Sequence, residues 1–202
     1  MTKIVIEQYL QRHGFEAFHP KAVLFDMDGV IYDSMPNHAK SWHESMASFG
    51  LDMTPEEAYM CEGMRGVETI KKLAAEQWSR TLDDAEAAEM YRVKSEHFSQ
   101  CPPAQKMKGV EQLMRHIKAQ GLSICVVTGS GQQSLLDKLV DDFDGLIHDD
   151  LIVSSKDVTH GKPNPEPYLR GMEKLGIEPW QGIVVENAPL GVRAAVAARL
   201  FT

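Results

Sequence analysis

Apolar residues follow two different spacings along this chain of 202 residues. Short runs made mostly of apolar residues at 21–25, 122–127, 151–153 and 182–185 are typical of strands that are buried on both faces. Between these runs, apolar residues recur every three or four positions, as they do on helices that bury one face. Strands that alternate with helices predict an α/β fold, with a parallel sheet covered by helices on both sides.

One long stretch departs from this alternation. From 37 to 100, apolar residues such as Trp42 and Met46 keep a helical spacing, and no run rich in β-branched residues interrupts them. The segments 54–57 and 81–84 combine capping residues with acidic residues, which favours the first turn of a helix. We therefore predict a helical insertion of roughly four helices over this stretch.

The remaining segments define the other boundaries. A short amphipathic helix is predicted over 4–13, so residues 1–19 form an N-terminal helical extension. Residues 20–36 and 101–202 then make up the α/β core, because Pro102 and Pro103 end the helical pattern of the insertion. Further helices are predicted from 110 to the stop at Gly121, and over 133–143, 165–175 and 190–200.

Composition and charge exclude several classes of protein. The chain has 21 Lys and Arg against 29 Asp and Glu, a net charge of −8, and no basic cluster, which argues against a nucleic-acid or membrane-surface partner. Cys61, Cys101 and Cys125 are too scattered for a disulfide framework or a zinc site. We find no signal peptide or membrane span, and we expect a cytoplasmic protein.

Polar residues follow each of the predicted strands, directly or through the loop that comes next. Because the carboxyl ends of parallel strands meet at one edge of a sheet, we expect these side chains to collect there. They supply carboxylates, hydroxyls, one ammonium group and one amide. The residues are Asp26, Asp28, Thr128, Ser130, Lys162, Glu186 and Asn187.

Phosphoryl transfer is the chemistry that this set of groups fits. A carboxylate nucleophile can take the phosphoryl group and so divide one displacement into two. Mg²⁺ held by oxygen ligands offsets the negative charge, while a lysine and a hydroxyl bind the phosphoryl oxygens. Local positive charge of this kind would let a net acidic protein bind a phosphate.

Four segments resemble, in order, the motifs of the haloacid dehalogenase superfamily. They read FDMDGVIYDS at 25–34, VTGS at 127–130, GKPNPEPY at 161–168 and VENAPLG at 185–191. The insertion after the first motif is similar to the helical cap of the β-phosphoglucomutase-like subfamily. The resemblance covers residues 21–202 and implies a Rossmann-like parallel sheet core with an inserted helical cap.

The resemblance also implies roles for individual residues. Asp26 would be the nucleophile and Asp28 the general acid and base, while Thr128 and Lys162 would bind the phosphoryl group. The implied cofactor is Mg²⁺, with Asp26 binding through its side chain and Asp28 through its backbone carbonyl. The other implied metal-side residues are Glu186 and Asn187.

Substrate binding is assigned to Ser130 of the second motif and to three residues of the predicted cap. His38 matches a histidine of the mutase cap hinge and could relay the approach of sugar hydroxyls, although a histidine on a helix flank is more often structural. Arg65 and Lys94 are candidates for holding a distal phosphate. The alternative for both is a solvated surface charge.

The chain departs from the family pattern in four places. Asn187 replaces the usual second acid, so we expect weaker Mg²⁺ binding with activity retained. Gly131 and Gln132 stand where related mutases carry a lysine, which removes one contact to a distal phosphate. Arg199 replaces a glycine that would favour the end of a helix. The sequence ends about where another strand would follow, and we expect chemistry to tolerate this better than stability does.

Three functions are compatible with these residues to different degrees. The first is a Mg²⁺-dependent phosphomutase that converts a hexose 1-phosphate to the 6-phosphate, and the alternative is a phosphatase in which water attacks the aspartyl-phosphate. A non-catalytic receiver domain is disfavoured, because its phosphorylated aspartate lies on a middle strand of a domain without a helical insertion. The expected partner is a small phosphorylated sugar, and a monomer is favoured.

Overall fold

The central strand of the sheet carries the first predicted motif. The computed structural model describes residues 2–202, within which four strands form one parallel sheet in the order β3-β2-β1-β4. Strand β1 pairs with β2 on one side, where Ala22 faces Ser123, and with β4 on the other, where Ala22 faces Gly182. Asp26, the residue after β1, therefore lies near the middle of the sheet edge formed by the carboxyl ends of the strands. The strands are β1 (Ala22–Phe25), β2 (Ser123–Val127), β3 (Ile152–Val153) and β4 (Gly182–Val185).

Helices cover both faces of this sheet, which confirms the predicted α/β fold. Successive residues of a strand point to opposite faces. Val23 and Phe25 accordingly join the apolar cluster under α6 and α7, while Leu24 joins the one under α8 and α9. Burial on both faces explains why β1 reads as an unbroken apolar run. The helices of this layer are α6 (Val110–Ala119), α7 (Gln133–Asp142), α8 (Glu166–Leu175) and α9 (Pro189–Ala197).

The predicted helical insertion is also confirmed, and we call residues 35–99 the cap. Its helices bury an apolar cluster of their own, in which Met46, Ile70 and Ala74 are fully enclosed. The side chains of Thr54 and Asp83 cap the starts of α3 and α5, as the sequence pattern indicated. The cap consists of α2 (Met35–Ser48), α3 (Pro55–Met60), α4 (Gly66–Trp78) and α5 (Asp84–Ser99).

The N-terminal helix α1 (Thr2–His13) packs beside the edge of the sheet at β4. The Tyr9 hydroxyl donates to the carbonyl oxygen of Arg199 at 2.9 Å, and the Tyr9 ring meets the Phe201 ring edge-on. Arg199 has a φ of 63°, a conformation that favours glycine. The Arg199 guanidinium lies over the Phe15 ring at 4.5 Å. The strained residue after α9 is therefore in contact with the N-terminal segment. Within residues 2–202, no helix is both long and apolar enough to cross a bilayer.

Candidate active site

Asp26 lies at the centre of the candidate site, immediately after β1. The residue is 1% exposed, and its backbone N–H donates to the Val185 carbonyl at 3.0 Å. Asp26 Oδ1 accepts a hydrogen bond from Lys162 Nζ at 2.6 Å. Asp26 Oδ2 is buried and has no hydrogen-bond partner within residues 2–202. Because an unsatisfied buried oxygen is costly, this atom is suited to meet a ligand.

The surroundings of Asp26 weaken its acidity. Burial raises the pKa of Asp26 to about 7, since the charged form loses its hydration. The Lys162 ammonium acts in the opposite direction, while the carboxylates of Glu186 and Asp28 raise the pKa further. Added positive charge near Asp26 would therefore favour the ionised nucleophile.

Lys162 is the cation of this centre and is 1% exposed. Its ammonium group donates to Asp26 Oδ1 at 2.6 Å, to Glu186 Oε1 at 2.6 Å and to the Val127 carbonyl at 3.1 Å. Burial lowers the pKa of Lys162, but the charges of Asp26, Tyr168 and Glu186 outweigh it and hold the pKa well above its ordinary value. Lys162 is consequently a permanent positive charge between two carboxylates.

Glu186 is held by several donors at once. Its Oε1 accepts from Lys162 and from the Tyr168 hydroxyl, which lies at 3.0 Å. Its Oε2 accepts from the backbone N–H groups of Asn187 and Ala188, each at 2.9 Å. Both oxygens are thus engaged within the protein. These contacts join Glu186 to Lys162 and to the backbone of the loop that carries Asn187.

Asn187 lies over the turn that follows Asp28. Gly29 has a φ of 82°, and a Cβ at that position would come within 2.2 Å of Asn187 Nδ2. The turn therefore requires glycine both for its backbone and for the approach of the amide. Within residues 2–202, no three His, Cys, Asp or Glu side chains are arranged to hold a metal ion. Asp26 Oδ2, the buried carboxylate oxygen without a partner, is nevertheless the type of ligand that a hard divalent cation prefers.

The loop after β2 supplies the hydroxyl groups. Thr128 and Ser130 are both buried. Thr128 Oγ1 accepts from the Ser130 backbone N–H at 3.0 Å, which leaves the hydroxyl hydrogen of Thr128 free to donate. Gln132, one of the two residues that stand where related mutases carry a lysine, has a buried Nε2 without a hydrogen-bond partner among residues 2–202.

Asp28 faces the cap. Its Oδ1 accepts from Ser34 Oγ at 2.6 Å and lies 3.1 Å from His38 Nε2. Burial raises the pKa of Asp28, but His38, Ser34 and Lys94 together hold it below its ordinary value. Asp28 is therefore a carboxylate in the resting site.

His38 and Lys94 continue this chain of contacts into the cap. Lys94 Nζ lies 2.9 Å from His38 Nδ1. An ammonium group can only donate, so Nδ1 accepts, and the remaining imidazole hydrogen on Nε2 points at Asp28. Lys94 is 1% exposed, and its ammonium lies over the rings of Trp42 and Phe98. Burial lowers the pKa of Lys94 to about 8, against the opposing charge of Glu62.

A cavity of about 30 Å³ separates the cap from the core beside Asp28. Glu62 lines this cavity, and no motif in the sequence pointed to it, although it precedes Gly63 in the same loop as Arg65. Burial raises the pKa of Glu62 well above its ordinary value, and the charges of Asp28 and Asp26 add to the effect. Other lining residues include His38, Trp42, Met64, Tyr91, Lys94 and Ser130.

Arg65 does not line this cavity. Its guanidinium donates to the carbonyl oxygen of Thr159 in the loop that leads to Lys162. The structure therefore brings His38, Lys94 and Ser130 to the space beside Asp28 and turns Arg65 toward the core backbone.

The fold and this arrangement of groups agree with the comparison to known proteins. Residues 23–202 match the haloacid dehalogenase-like hydrolase family, and the chain belongs to that family. Its relatives are phosphatases and phosphomutases, so the protein is an enzyme of one of these types. Membership of the family also implies a divalent cation as cofactor.

Individual relatives represent both enzyme types. Hexitol phosphatase A of Escherichia coli (strain K12) is 29% identical over 179 residues, which cover 88% of this chain and 79% of that protein. Beta-phosphoglucomutase of Bacillus subtilis (strain 168) is 24% identical over 189 residues, which cover 90% and 81%. A solved structure of a candidate beta-phosphoglucomutase from Bacteroides vulgatus is 48% identical, with a TM-score of 0.95, and covers 99% of this chain and 81% of that chain. The resemblance to the β-phosphoglucomutase-like subfamily is confirmed.

Proposed function

We propose that the chain is a phosphatase that works through an aspartyl-phosphate at Asp26 and releases a compact leaving group. The observation that carries the proposal is the size of the space between Asp28 and the cap residues His38 and Lys94. That space is about 30 Å³, which has room for one or two water molecules, and a hexose that carries a second phosphate is far larger. A wider pocket of about 280 Å³ also reaches Asp28, but on the side of Ser34 and Lys138, and neither His38 nor Lys94 lines it. Water can enter such a space once a small leaving group has departed.

The charges around this space support the same proposal. A phosphomutase has to bind a second phosphate in the cap, which requires free cations. Arg65 donates to the Thr159 carbonyl, and Lys94 is bonded to His38. Glu62 places an acidic side chain on the cavity wall, where a second phosphate would need a cation.

The reaction would proceed in two displacements. A carboxylate oxygen of Asp26 attacks phosphorus, the bond from phosphorus to the leaving oxygen breaks, and that oxygen takes a proton from Asp28. Asp28 receives this proton from Lys94 through His38. Water then attacks phosphorus and passes a proton to Asp28, and the bond to Asp26 breaks to release phosphate. Lys162 and the Thr128 hydroxyl donate to the phosphoryl oxygens. Lys162 is free to do so because esterification removes the charge of Asp26.

We propose Mg²⁺ as the divalent cation of this site. The residues that would hold it are Asp26 through its carboxylate, Asp28 through its backbone carbonyl and Asn187 through its amide oxygen. Glu186 would support the site indirectly, because its contacts fix Lys162. When bound, the cation supplies positive charge to the phosphoryl oxygens.

A phosphomutase is the second candidate, and one specific observation favours it. His38 and Lys94 form a buried chain to Asp28, which suits the guided approach of a sugar hydroxyl to the general base. The candidate beta-phosphoglucomutase that is 48% identical adds weight to this alternative. A hexose bisphosphate would then require the cap to adopt a more open arrangement than the one described.

A panel of substrates graded by leaving-group size tests the proposal. The protein is incubated with Mg²⁺ and inorganic pyrophosphate, phosphoglycolate, glycerol 3-phosphate, fructose 1-phosphate or β-glucose 1-phosphate, the last with and without a glucose bisphosphate. We expect free phosphate as the product, with kcat/KM at least about tenfold higher for the compact substrates than for the hexose phosphates. Asp26→Asn serves as the blank and should be inactive.

Two results would contradict the proposal. Glucose 6-phosphate that forms only with the bisphosphate would identify a mutase. Equal turnover by the protein and by Asp26→Asn would exclude an aspartyl-phosphate altogether.

A further inference from the structure

The cap touches the core at the loop that carries Lys162. Glu68, in the first turn of α4, reaches across the interface, and its Oε2 accepts a hydrogen bond from the Gly161 backbone N–H at 3.1 Å. The same oxygen accepts from the Arg65 backbone N–H at 3.3 Å. The Arg65 guanidinium donates to the Thr159 carbonyl. Glu68 and Arg65 of the cap thus form hydrogen bonds to the backbone just before Lys162.

The packing at this contact leaves no room for additional atoms. A Cβ on Gly161 would lie 2.6 Å from the Arg65 backbone nitrogen, and a Cβ on Gly63 would lie 2.8 Å from Lys162 Cδ. The cap loop therefore rests directly on the aliphatic stem of Lys162. This contact helps to explain why a lysine at the sheet edge is only 1% exposed.

The core holds the same loop from the opposite side. Glu166, at the start of α8, accepts from the Thr159 backbone N–H at 2.6 Å and from the His160 backbone N–H at 2.9 Å. Successive backbone N–H groups of the loop are thus divided between a core carboxylate and a cap carboxylate. Only the Gly161 N–H, next to Lys162, depends on the cap.

We propose that Glu68 is a positioning residue for Lys162 and that Glu68 and Arg65 together form a latch between cap and core. The proposal deepens the proposed function, since it rests on the role of Lys162 there. With the latch closed, Lys162 is shielded from water and its bonds to Asp26 and Glu186 are strong. With the latch open, Gly161 loses its acceptor and Lys162 becomes hydrated. The phosphoryl-binding cation is therefore fully arranged only while the cap is closed on the core.

Glu68 also caps its own helix, and a variant must separate that local role from the latch. Glu57 provides a matched control in the same cap. It accepts from the Thr54 backbone N–H at 2.8 Å, as the corresponding acid of α3, and it is exposed. Glu57→Ala removes a helix cap without touching the core, whereas Glu68→Ala removes a helix cap and the bond to Gly161.

Hydrogen exchange tests the latch without any substrate. Peptides that cover 157–164 are followed by mass spectrometry in the unaltered protein, in Glu68→Ala and in Glu57→Ala. We expect exchange in this segment to be at least about fivefold faster in Glu68→Ala and unchanged in Glu57→Ala. Arg65→Gln, which keeps Glu68, should give a smaller increase in the same segment. Equal exchange in Glu68→Ala and the unaltered protein would overturn the latch.

Steady-state kinetics test the positioning role. With the best phosphate ester of the panel, Glu68→Ala should lose about tenfold or more in kcat with little change in KM, because the latch acts on the arrangement of Lys162. Glu68→Gln keeps an acceptor oxygen and should recover most of the rate, and Glu57→Ala should match the unaltered protein. A normal kcat in Glu68→Ala, or an equal loss in Glu57→Ala, would overturn the proposal. Absence of turnover in the unaltered protein would instead contradict the proposed function. The hydrogen-exchange comparison needs no substrate, so it would still show whether the latch exists.

Discussion

Two fully buried lysines stand on opposite sides of the candidate site, and their environments differ sharply. Lys162 and Lys94 are each 1% exposed. The core lysine, Lys162, lies 2.6 Å from the carboxylates of both Asp26 and Glu186. The cap lysine, Lys94, meets a nitrogen of His38 at 2.9 Å, and its ammonium lies over the rings of Trp42 and Phe98. Burial opposes the charge of both, yet the pKa of Lys162 is held well above its ordinary value and the pKa of Lys94 falls to about 8.

The difference shows that the acceptors around a buried lysine, and not burial itself, decide whether it keeps its charge. Two carboxylates make Lys162 a permanent cation that is suited to binding a phosphoryl group. A neutral imidazole leaves Lys94 able to release its proton near neutral pH. Through His38, that titration is linked to Asp28, the proposed acid and base. The core half of the site thus supplies fixed charge, and the cap half supplies a mobile proton.

Removal of the core lysine should have the largest effect. In Lys162→Met, the carboxylates of Asp26 and Glu186 remain buried without their cation. We expect kcat/KM to fall by about 10³-fold or more, and the free energy of unfolding at pH 7 to fall by about 3–5 kcal/mol. Phosphate release and urea denaturation measure the two effects.

Lys174→Met is the matched control for this variant. Lys174 is partly buried and donates to the Ile152 carbonyl at 2.7 Å, outside the site. Its kcat/KM should stay near that of the unaltered protein. Unchanged stability in Lys162→Met would mean that the carboxylates do not depend on the lysine.

The cap lysine should respond differently to the same substitution. Lys94→Met should lower kcat by about 10- to 100-fold, and the alkaline fall in rate near pH 8 should disappear. Its free energy of unfolding at pH 7 should be equal to or higher than that of the unaltered protein, because an apolar side chain replaces a buried charge among aromatic rings. pH–rate profiles and urea denaturation provide the measurements.

The pH dependence of stability gives an independent check on Lys94. Its pKa is about 8 in the folded protein and 10.5 ordinarily, so the unfolded chain binds more protons between these values. The contribution of Lys94 to the free energy of unfolding therefore increases as pH rises from 8 toward 10.5, and Lys94→Met should lack that increase. If Lys94→Met proved as destabilising as Lys162→Met, the contrast between the two halves would be lost.

In the absence of divalent cations, the buried charge of Asp26 should lower the free energy of unfolding. Its pKa is about 7 in the folded protein and 3.8 ordinarily, so the unfolded chain ionises first. Stability from this group therefore falls as pH rises from 3.8 to 7. In EDTA at pH 7.5, Asp26→Asn should be more stable than the unaltered protein by about 1–3 kcal/mol. Denaturation at pH 5 and pH 7.5 should show a smaller difference at the lower pH.

Mg²⁺ provides the control for that measurement. Because a cation favours the ionised carboxylate, Mg²⁺ at pH 7.5 should stabilise the unaltered protein more than Asp26→Asn. A stability difference that did not vary with pH would argue against a raised pKa for Asp26.

The core half of the site could be predicted from the sequence, because strand order determines it. Asp26 and Lys162 are 136 residues apart, yet both follow strands of one parallel sheet, and their side chains meet at 2.6 Å. Unbroken apolar runs identified those strands, and the polar residues after them identified the site. Local patterns were sufficient because the sheet brings the strand ends together.

The cap half could be predicted only in part. Helical spacing indicated the cap helices, but the direction of Arg65 and the contacts of Glu62 and Glu68 depend on how the cap sits on the core. That placement is set by close packing between segments that are distant in sequence, such as Gly63 against Lys162. The spacing of apolar residues along the sequence does not predict such a contact. Arg65, predicted to face a distal phosphate, accordingly donates to the core backbone.

The smallest predicted effect concerns Asn187, which tests how much negative charge the core half can hold. Asn187→Asp would add a fourth carboxylate near Asp26, Asp28 and Glu186, and a divalent cation would bind this set more tightly. We expect the Mg²⁺ concentration for half-maximal rate to fall by up to about tenfold, since solvation offsets much of the added Coulomb attraction. Calorimetric titration of Mg²⁺ without substrate should show the same change. Gln112→Glu, which adds one charge on α6 outside the site, should leave both values unchanged. An equal or higher Mg²⁺ requirement in Asn187→Asp would mean that the amide is not beside the cation, and that Lys162 alone balances the charge of the core half.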